Sequence, residues 1–208
     1  MVDKVEEMKT IEENFNYSLN DKFILEDNLD RKIFINSTIE ESTIDTAVYQ
    51  ILRFNAMDLE KPIDERKPIR VYINSLGGSI IEGFSLVDAI TLSKTPVYTI
   101  NLGACMSMAL LVFMSGHKRY AMPRSEFLLH SGSTASIGNA NSVKDQIEFE
   151  SIQLEGVTKD FVLEYSNITE EEYNINLRRE WYFLPAEGKK IGVVDYIIGQ
   201  DCELEDIL

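Results

Sequence analysis

The sequence is short of several things at once, and each shortage narrows its function. Only two cysteines occur in 208 residues, Cys105 and Cys202. Two thiols build neither a disulfide framework nor a cysteine-based metal site. Positive charge is scarce: 20 Lys and Arg stand against 35 Asp and Glu, giving a net charge of −15. A surface this acidic repels phosphate backbones and anionic bilayers, so no nucleic-acid or membrane partner is expected. Long apolar runs are missing too. The longest, Ala104 to Met114, is eleven residues and is interrupted by Ser107, whereas a membrane span needs roughly 20. It reads as a buried core helix. The start, Met1-Val2-Asp3-Lys4-Val5-Glu6-Glu7, has no basic stretch followed by an apolar one, so no secretory leader is expected and the setting is read as cytoplasmic. No Gly-x-x-x-x-Gly-Lys-Ser/Thr loop occurs, so ATP use is not expected of this chain. Neither metal nor cofactor is expected.

What the chain does have is enough apolar residue, 44%, for a sizeable single core. Residues 1–30 are polar with weak periodicity and read as an N-terminal arm; residues 31–208 read as one domain. Ile33-Phe34-Ile35, Ile69 to Ile73, Pro96 to Leu102 and Phe127-Leu128-Leu129 are expected strands. Helices are expected over Asp45 to Met57, with Ser42 and Thr43 as caps, from Ile80 onward, and over Met106 to Ser115 after a turn at Gly103. Ser115 to Arg119 reads as a polar turn. The run at 141–166 carries Val143, Ile147, Leu154, Val157, Phe161 and Tyr165 at helical spacing, and its apolar face needs cover, most simply by oligomerisation. Thr169 and Glu172 form a capping box opening a helix to about Glu180. Strands alternating with helices argue for right-handed units around a mostly parallel sheet.

Three features carry possible chemistry. Ser107 is a polar residue in an apolar turn between strand and helix. It is either a helix cap bonded to backbone or a nucleophile favoured by the helix N-terminus, which would need a base. His130 ends an apolar strand, the end at which α/β proteins place ligands and catalytic groups; it can equally be structural. Gly77-Gly78 directly follows a strand, as a tight turn needing positive φ or as a close approach of N–H donors to an oxyanion. The other histidine, His117, reads as a solvated loop residue, and Cys105 as a small buried hydrophobe rather than a rival nucleophile.

The order of these features resembles the Clp protease proteolytic subunits. The segment Val71-Tyr72-Ile73-Asn74-Ser75-Leu76-Gly77-Gly78-Ser79 is similar to that family's strand-to-Gly-Gly signature. Gly103 to Ala109 resembles its nucleophile turn, with serine just before methionine. Met122-Pro123-Arg124-Ser125 leading to Leu129-His130 resembles its histidine segment, and Arg179-Glu180, Pro185-Ala186-Glu187 and Gly192-Val193-Val194-Asp195 its C-terminal segment. The resemblance runs from about Arg31 to Ile198.

It implies an α/β fold of ClpP/crotonase type, with repeated ββα units, a mostly parallel sheet and a projecting handle helix within about 131–166. It implies a serine endopeptidase in which Ser107 attacks the scissile carbonyl and His130 is the general base. Gly78 and Met108 N–H groups would form the oxyanion hole, and Arg179 would couple ring contacts to the site. The third triad member falls on Glu180, where the family usually has aspartate. Glutamate orients histidine in other hydrolases. Leu76 replaces a common proline. The resemblance also implies self-association into stacked heptameric rings, a tetradecamer with inward-facing sites, fed with unfolded polypeptide by an AAA+ unfoldase ATPase. Substrate would add as a strand beside Ser131 to Gly138. Tyr72, Leu92, Ile100, Leu102 and Ile198 fit an apolar docking pocket, although Arg70 stands where an aromatic is common. Two alternatives stay open: a catalytically inactive scaffold subunit, prompted by Glu180, and an acyl-CoA enzyme of crotonase type. A Ser-Lys pair would have to use Lys118.

Overall fold

The computed structural model describes residues 25–132, 137–149, 155–177 and 179–208. The chain forms two units, Met1–Lys32 and Ile33–Leu208. In the first, residues 25–29 are helical and Lys32 lies 4.0 Å from Asp30.

The second unit is built on a seven-stranded sheet. Its strands are β1 (Lys32–Ile35), β2 (Ile69–Ser75), β3 (Val97–Met106), β4 (Lys118–Ala121), β5 (Glu126–Leu129), β6 (Trp181–Phe183) and β7 (Tyr196–Ile197). The main path runs β1-β2-β3-β4-β7, and β5 pairs with both β3 and β6. β2, β4 and β5 all run parallel to β3, and β7 runs parallel to β4; β6 is antiparallel to β5. The helices are α1 (Tyr49–Met57), α2 (Ile80–Thr91), α3 (Met108–Met114), α4 (Ala140–Glu148), α5 (Glu155–Glu164), α6 (Glu170–Asn176) and α7 (Pro185–Lys190). The architecture is α/β with a mostly parallel sheet, as the resemblance implies.

Side-chain alternation along β2 separates two apolar clusters. Ile69, Val71 and Ile73 enter the main core with Ile51, Leu86, Ile90, Phe113 and Phe127. Tyr72 enters a smaller cluster with Ile100, Tyr120, Ile198 and Ile207. Tyr120 stacks on Tyr196 with ring centroids 5.0 Å apart, and burial pushes its phenol up to about 12. The Tyr72 hydroxyl donates to the Ile207 carbonyl, pinning the turn Leu204–Ile207 over this cluster. Helix α3 is buried on every side, which explains its uninterrupted apolar sequence.

Several elements depart from the sequence reading. Helical backbone begins at Glu41, ahead of Asp45, with Glu40 at the cap position and a π-helical turn over Ile44–Val48. Gly103 is not a turn but lies inside β3, where a β-carbon would sit 2.7 Å from the Asn74 Oδ1. The register explains why: Ile73 and Ser75 of β2 face Asn101 and Cys105 of β3, so β3 bulges there. Below the bulge β3 pairs with β4 and above it with β5. Lys118 and Arg119 belong to strand β4 rather than a polar turn. Charge hid this strand, because Lys118 lies over the Tyr98 ring and Arg119 is neutralised by Asp195 through two hydrogen bonds of 2.7 and 3.0 Å. The amphipathic run falls into α4 and α5; residues 150–154, including Leu154, lie outside the described residues. The Thr169–Glu172 capping box is present, but its helix ends at Asn176. No helix among the described residues is long and apolar enough to cross a membrane, and they hold no three-residue cluster of metal-ligating side chains.

Candidate active site

Ser107 sits at the C-terminal end of β3, immediately before α3, with φ 54° and ψ −126°. A non-glycine residue in this region costs on the order of 1–3 kcal/mol and persists only where its surroundings hold it. Three contacts hold it here. The Ser107 N–H donates to the Leu128 carbonyl at 2.9 Å, and its own carbonyl accepts from Leu110 at 3.0 Å. From the other side Gly77 packs against the turn, so closely that a β-carbon on it would lie 2.8 Å from the Ser107 Cβ and 2.7 Å from the Met106 carbonyl. The cap alternative fails on geometry: the Ser107 side chain makes no capping hydrogen bond.

The Gly-Gly loop presents its backbone in a defined direction. Gly78 forms a parallel bridge with Ile39, made by Ile39 N–H to the Gly77 carbonyl at 2.9 Å and Ser79 N–H to the Ile39 carbonyl at 2.8 Å. Such a bridge uses the groups flanking Gly78 and turns the N–H of Gly78 itself to the opposite side. Among the described residues no backbone carbonyl accepts it. Met108 is the first residue of α3, so its N–H has no acceptor within the helix. Both donors flank the same turn, since the Met108 nitrogen would lie 3.1 Å from a β-carbon on Gly77. That arrangement suits a developing oxyanion.

His130 follows β5, whose Leu128 is opposite Met106 of β3. Ser107 and His130 therefore lie at the C-terminal ends of adjacent parallel strands. On the far side of β5, Leu129 is opposite Trp181 of β6, and continuing that register by one step brings Glu180 opposite His130. The His130 Nδ1 is 3.4 Å from the Glu180 Oε1. The His130 side chain is 22% exposed and that of Glu180 59%, so solvent screens this contact. His130 Nε2 is buried and has no protein hydrogen-bond partner among the described residues; no hydrogen bond joins it to the Ser107 hydroxyl. Glu180 thus precedes a strand and does not end a helix. Arg179 is exposed, its N–H donating to the Asn176 carbonyl at 3.0 Å.

Other residues singled out by sequence lie elsewhere. His117 is not a free loop side chain. Its Nδ1 accepts from the Val97 N–H at 2.9 Å while the His117 backbone N–H donates to the Val97 carbonyl at 2.8 Å, clamping the start of β3. Lys118 is opposite Tyr98, at the other end of β3 from Ser107, which removes a Ser-Lys pair. Cys105 is fully buried, and burial pushes its thiol well up, away from a reactive thiolate. An open polar cleft of about 340 Å³ is lined by His117, Arg119, Tyr165 and Asp195; Ser107 is not among its lining residues. Tyr182 was missed by sequence reading: its hydroxyl donates to the Glu180 Oε2 at 3.1 Å. Alternation along a strand places residues two apart on one side, but that signal was hidden while Glu180 was read as a helix end. Of the apolar docking residues, Tyr72, Ile100 and Ile198 are buried in one cluster with Ile207, whereas Leu92 and Leu102 are exposed.

A hydroxyl on a strained strand-to-helix turn, with free N–H donors beside it and an imidazole on the next strand, is the layout of serine hydrolases carried on an α/β sheet. Comparison with known proteins narrows that class. The family model for Clp protease matches residues 20–201. The chain is 31% identical over 176 residues to the ATP-dependent Clp protease proteolytic subunit of Deinococcus radiodurans, covering 84% of this chain and 83% of that protein. It is also 31% identical over 176 residues to the chloroplastic ATP-dependent Clp protease proteolytic subunit 3 of Arabidopsis thaliana, covering 81% of this chain and 53% of the relative. The chain belongs to the Clp protease family, which makes it a serine-type endopeptidase by class.

Proposed function

We propose that this chain cleaves unfolded polypeptides inside a ring assembly, with Ser107 as nucleophile, His130 as general base and Glu180 as the carboxylate that orients it. The carrying observation is the split of the imidazole. Its Nδ1 faces a carboxylate, which favours the proton there, and its Nε2 is left buried and unpartnered. A lone pair so placed is suited to take the Ser107 proton as the hydroxyl adds to the scissile carbonyl. The Gly78 and Met108 N–H groups then receive the oxyanion. Protonated His130 gives its proton to the leaving amine, and water repeats the sequence to release the acyl group.

Ring formation is supported by apolar side chains that need cover: Tyr49, Leu52 and Met57 on α1, and Ile147, Phe149 and Val157 on and around α4 and α5, are all exposed. Stacked heptameric rings would seat α4 and α5 as the interlocking handle, with Arg179 linking assembly to the site. The two relatives are named ATP-dependent, and this chain has no phosphate-binding loop, so an AAA+ unfoldase would supply the ATP. Docking at the Tyr72, Ile100 and Ile198 patch would require Ile207 to leave it. Two unpaired cysteines suit a reducing cytoplasm.

The test is hydrolysis of a fluorogenic peptide by the assembled protein. Turnover abolished by Ser107→Ala and His130→Ala supports the proposal; turnover surviving Ser107→Ala defeats it. A second reading, an inactive scaffold subunit, draws on the long, exposed Glu180 contact and the absent Ser107–His130 hydrogen bond. Rings without turnover, even with an unfoldase present, would favour it.

A further inference from the structure

Glu180 is poorly held by the contact the proposed mechanism assigns it. At 3.4 Å from Nδ1 the pair is longer than a well-formed charge-assisted bond of about 2.7–2.9 Å. The carboxylate is more than half exposed, and glutamate has one more rotatable bond than the aspartate expected here. An exposed carboxylate on a long stem needs something else to aim it.

The structure supplies one candidate. Tyr182 lies two residues on, in β6, and its hydroxyl donates to Oε2, the carboxylate oxygen not facing His130. The strand is itself well anchored. Leu128 is opposite Tyr182, Phe183 stacks on Phe127 with centroids 5.2 Å apart, and the Trp181 indole donates to Glu187 at 3.2 Å. A rigid strand thus carries a phenol that fixes one carboxylate oxygen, leaving the other to face the imidazole.

We infer that Tyr182 is a positioning residue, holding Glu180 so that Oε1 keeps the His130 proton on Nδ1. This rests on the catalytic reading above, but its consequence for the imidazole does not require turnover. The chain has only two histidines, so a His117→Gln background leaves His130 as the sole imidazole signal in a protein labelled with ¹⁵N-histidine.

In the full-length protein in that background, Tyr182→Phe keeps the ring and removes only the donor. The expected result is loss of the dominant Nδ1–H tautomer toward a mixture, with an unchanged melting temperature. Peptide hydrolysis should show kcat lowered about threefold to tenfold with KM unchanged, the scale of one ordinary, solvent-screened hydrogen bond. In a Glu180→Gln background the same substitution should change neither quantity further. An unaltered tautomer in Tyr182→Phe overturns the inference, as does an equal loss of kcat in both backgrounds. A tautomer shift in protein that hydrolyses nothing would sustain the positioning role while defeating the catalytic reading.

Discussion

Gly77 and Ser107 are in contact across the mouth of the sheet: a β-carbon on Gly77 would fall 2.8 Å from the Ser107 Cβ. Gly77 also has φ +101°, a conformation side chains disfavour. Gly77→Ala is therefore expected to destabilise the protein by about 2 kcal/mol or more and to lower peptidase kcat well over tenfold by displacing the serine turn. Urea unfolding and peptide hydrolysis check the two effects. A variant with native stability and activity would show that the close packing is not needed.

The strain at Ser107 has a measurable counterpart. Ser107→Ala keeps the unfavourable φ, whereas Ser107→Gly relieves it. The glycine variant is expected to be more stable than the alanine variant by about 1 kcal/mol, after allowing for glycine's greater unfolded-state entropy. Both should be inactive. Denaturation midpoints measured side by side decide it, and equal or reversed stabilities would mean that the turn stores no strain.

Arg119 ties β4 to two other segments, through Asp195 and through the Tyr165 carbonyl at 2.7 Å. The planar fork makes bonds a lysine cannot reproduce. Arg119→Lys should cost about 1–3 kcal/mol in thermal unfolding, with kcat little changed, since this pair is not at Ser107.

His117 gives a pH signature. Burial holds its imidazole below the ordinary histidine value, and the Val97 bond needs the unprotonated Nδ1. Between the ordinary value, about 6.5, and the lower folded one, the unfolded chain binds a proton the folded chain does not. Stability must then fall as pH drops through that window. His117→Gln should flatten this part of the stability curve, read from unfolding at pH 7 and pH 5. An unchanged slope would remove His117 from the account.

Local pattern made much of the fold legible. Apolar spacing after Gly78 gave α2, and the Thr169–Glu172 box gave the start of α6. What stayed hidden depends on partners distant in sequence. β3 continues through Gly103 because Asn74 on β2 leaves no room for a side chain there, a fact absent from residues 97–106. β4 was obscured because its charges are neutralised by Asp195 and covered by Tyr98. At the site, the serine turn and the strand-end histidine could be read locally. The contact of Gly77 with Ser107 and the alignment of Glu180 with His130 could not, since both follow from strand register.

If Ser107 is a nucleophile activated by His130, an active-site-directed fluorophosphonate should label it. Mass spectrometry of the assembled protein should find one adduct per chain, on the peptide containing Ser107, forming at least a hundredfold more slowly in His130→Ala. No adduct, or one whose rate ignores His130, would mean that Ser107 is not a nucleophile activated by this imidazole.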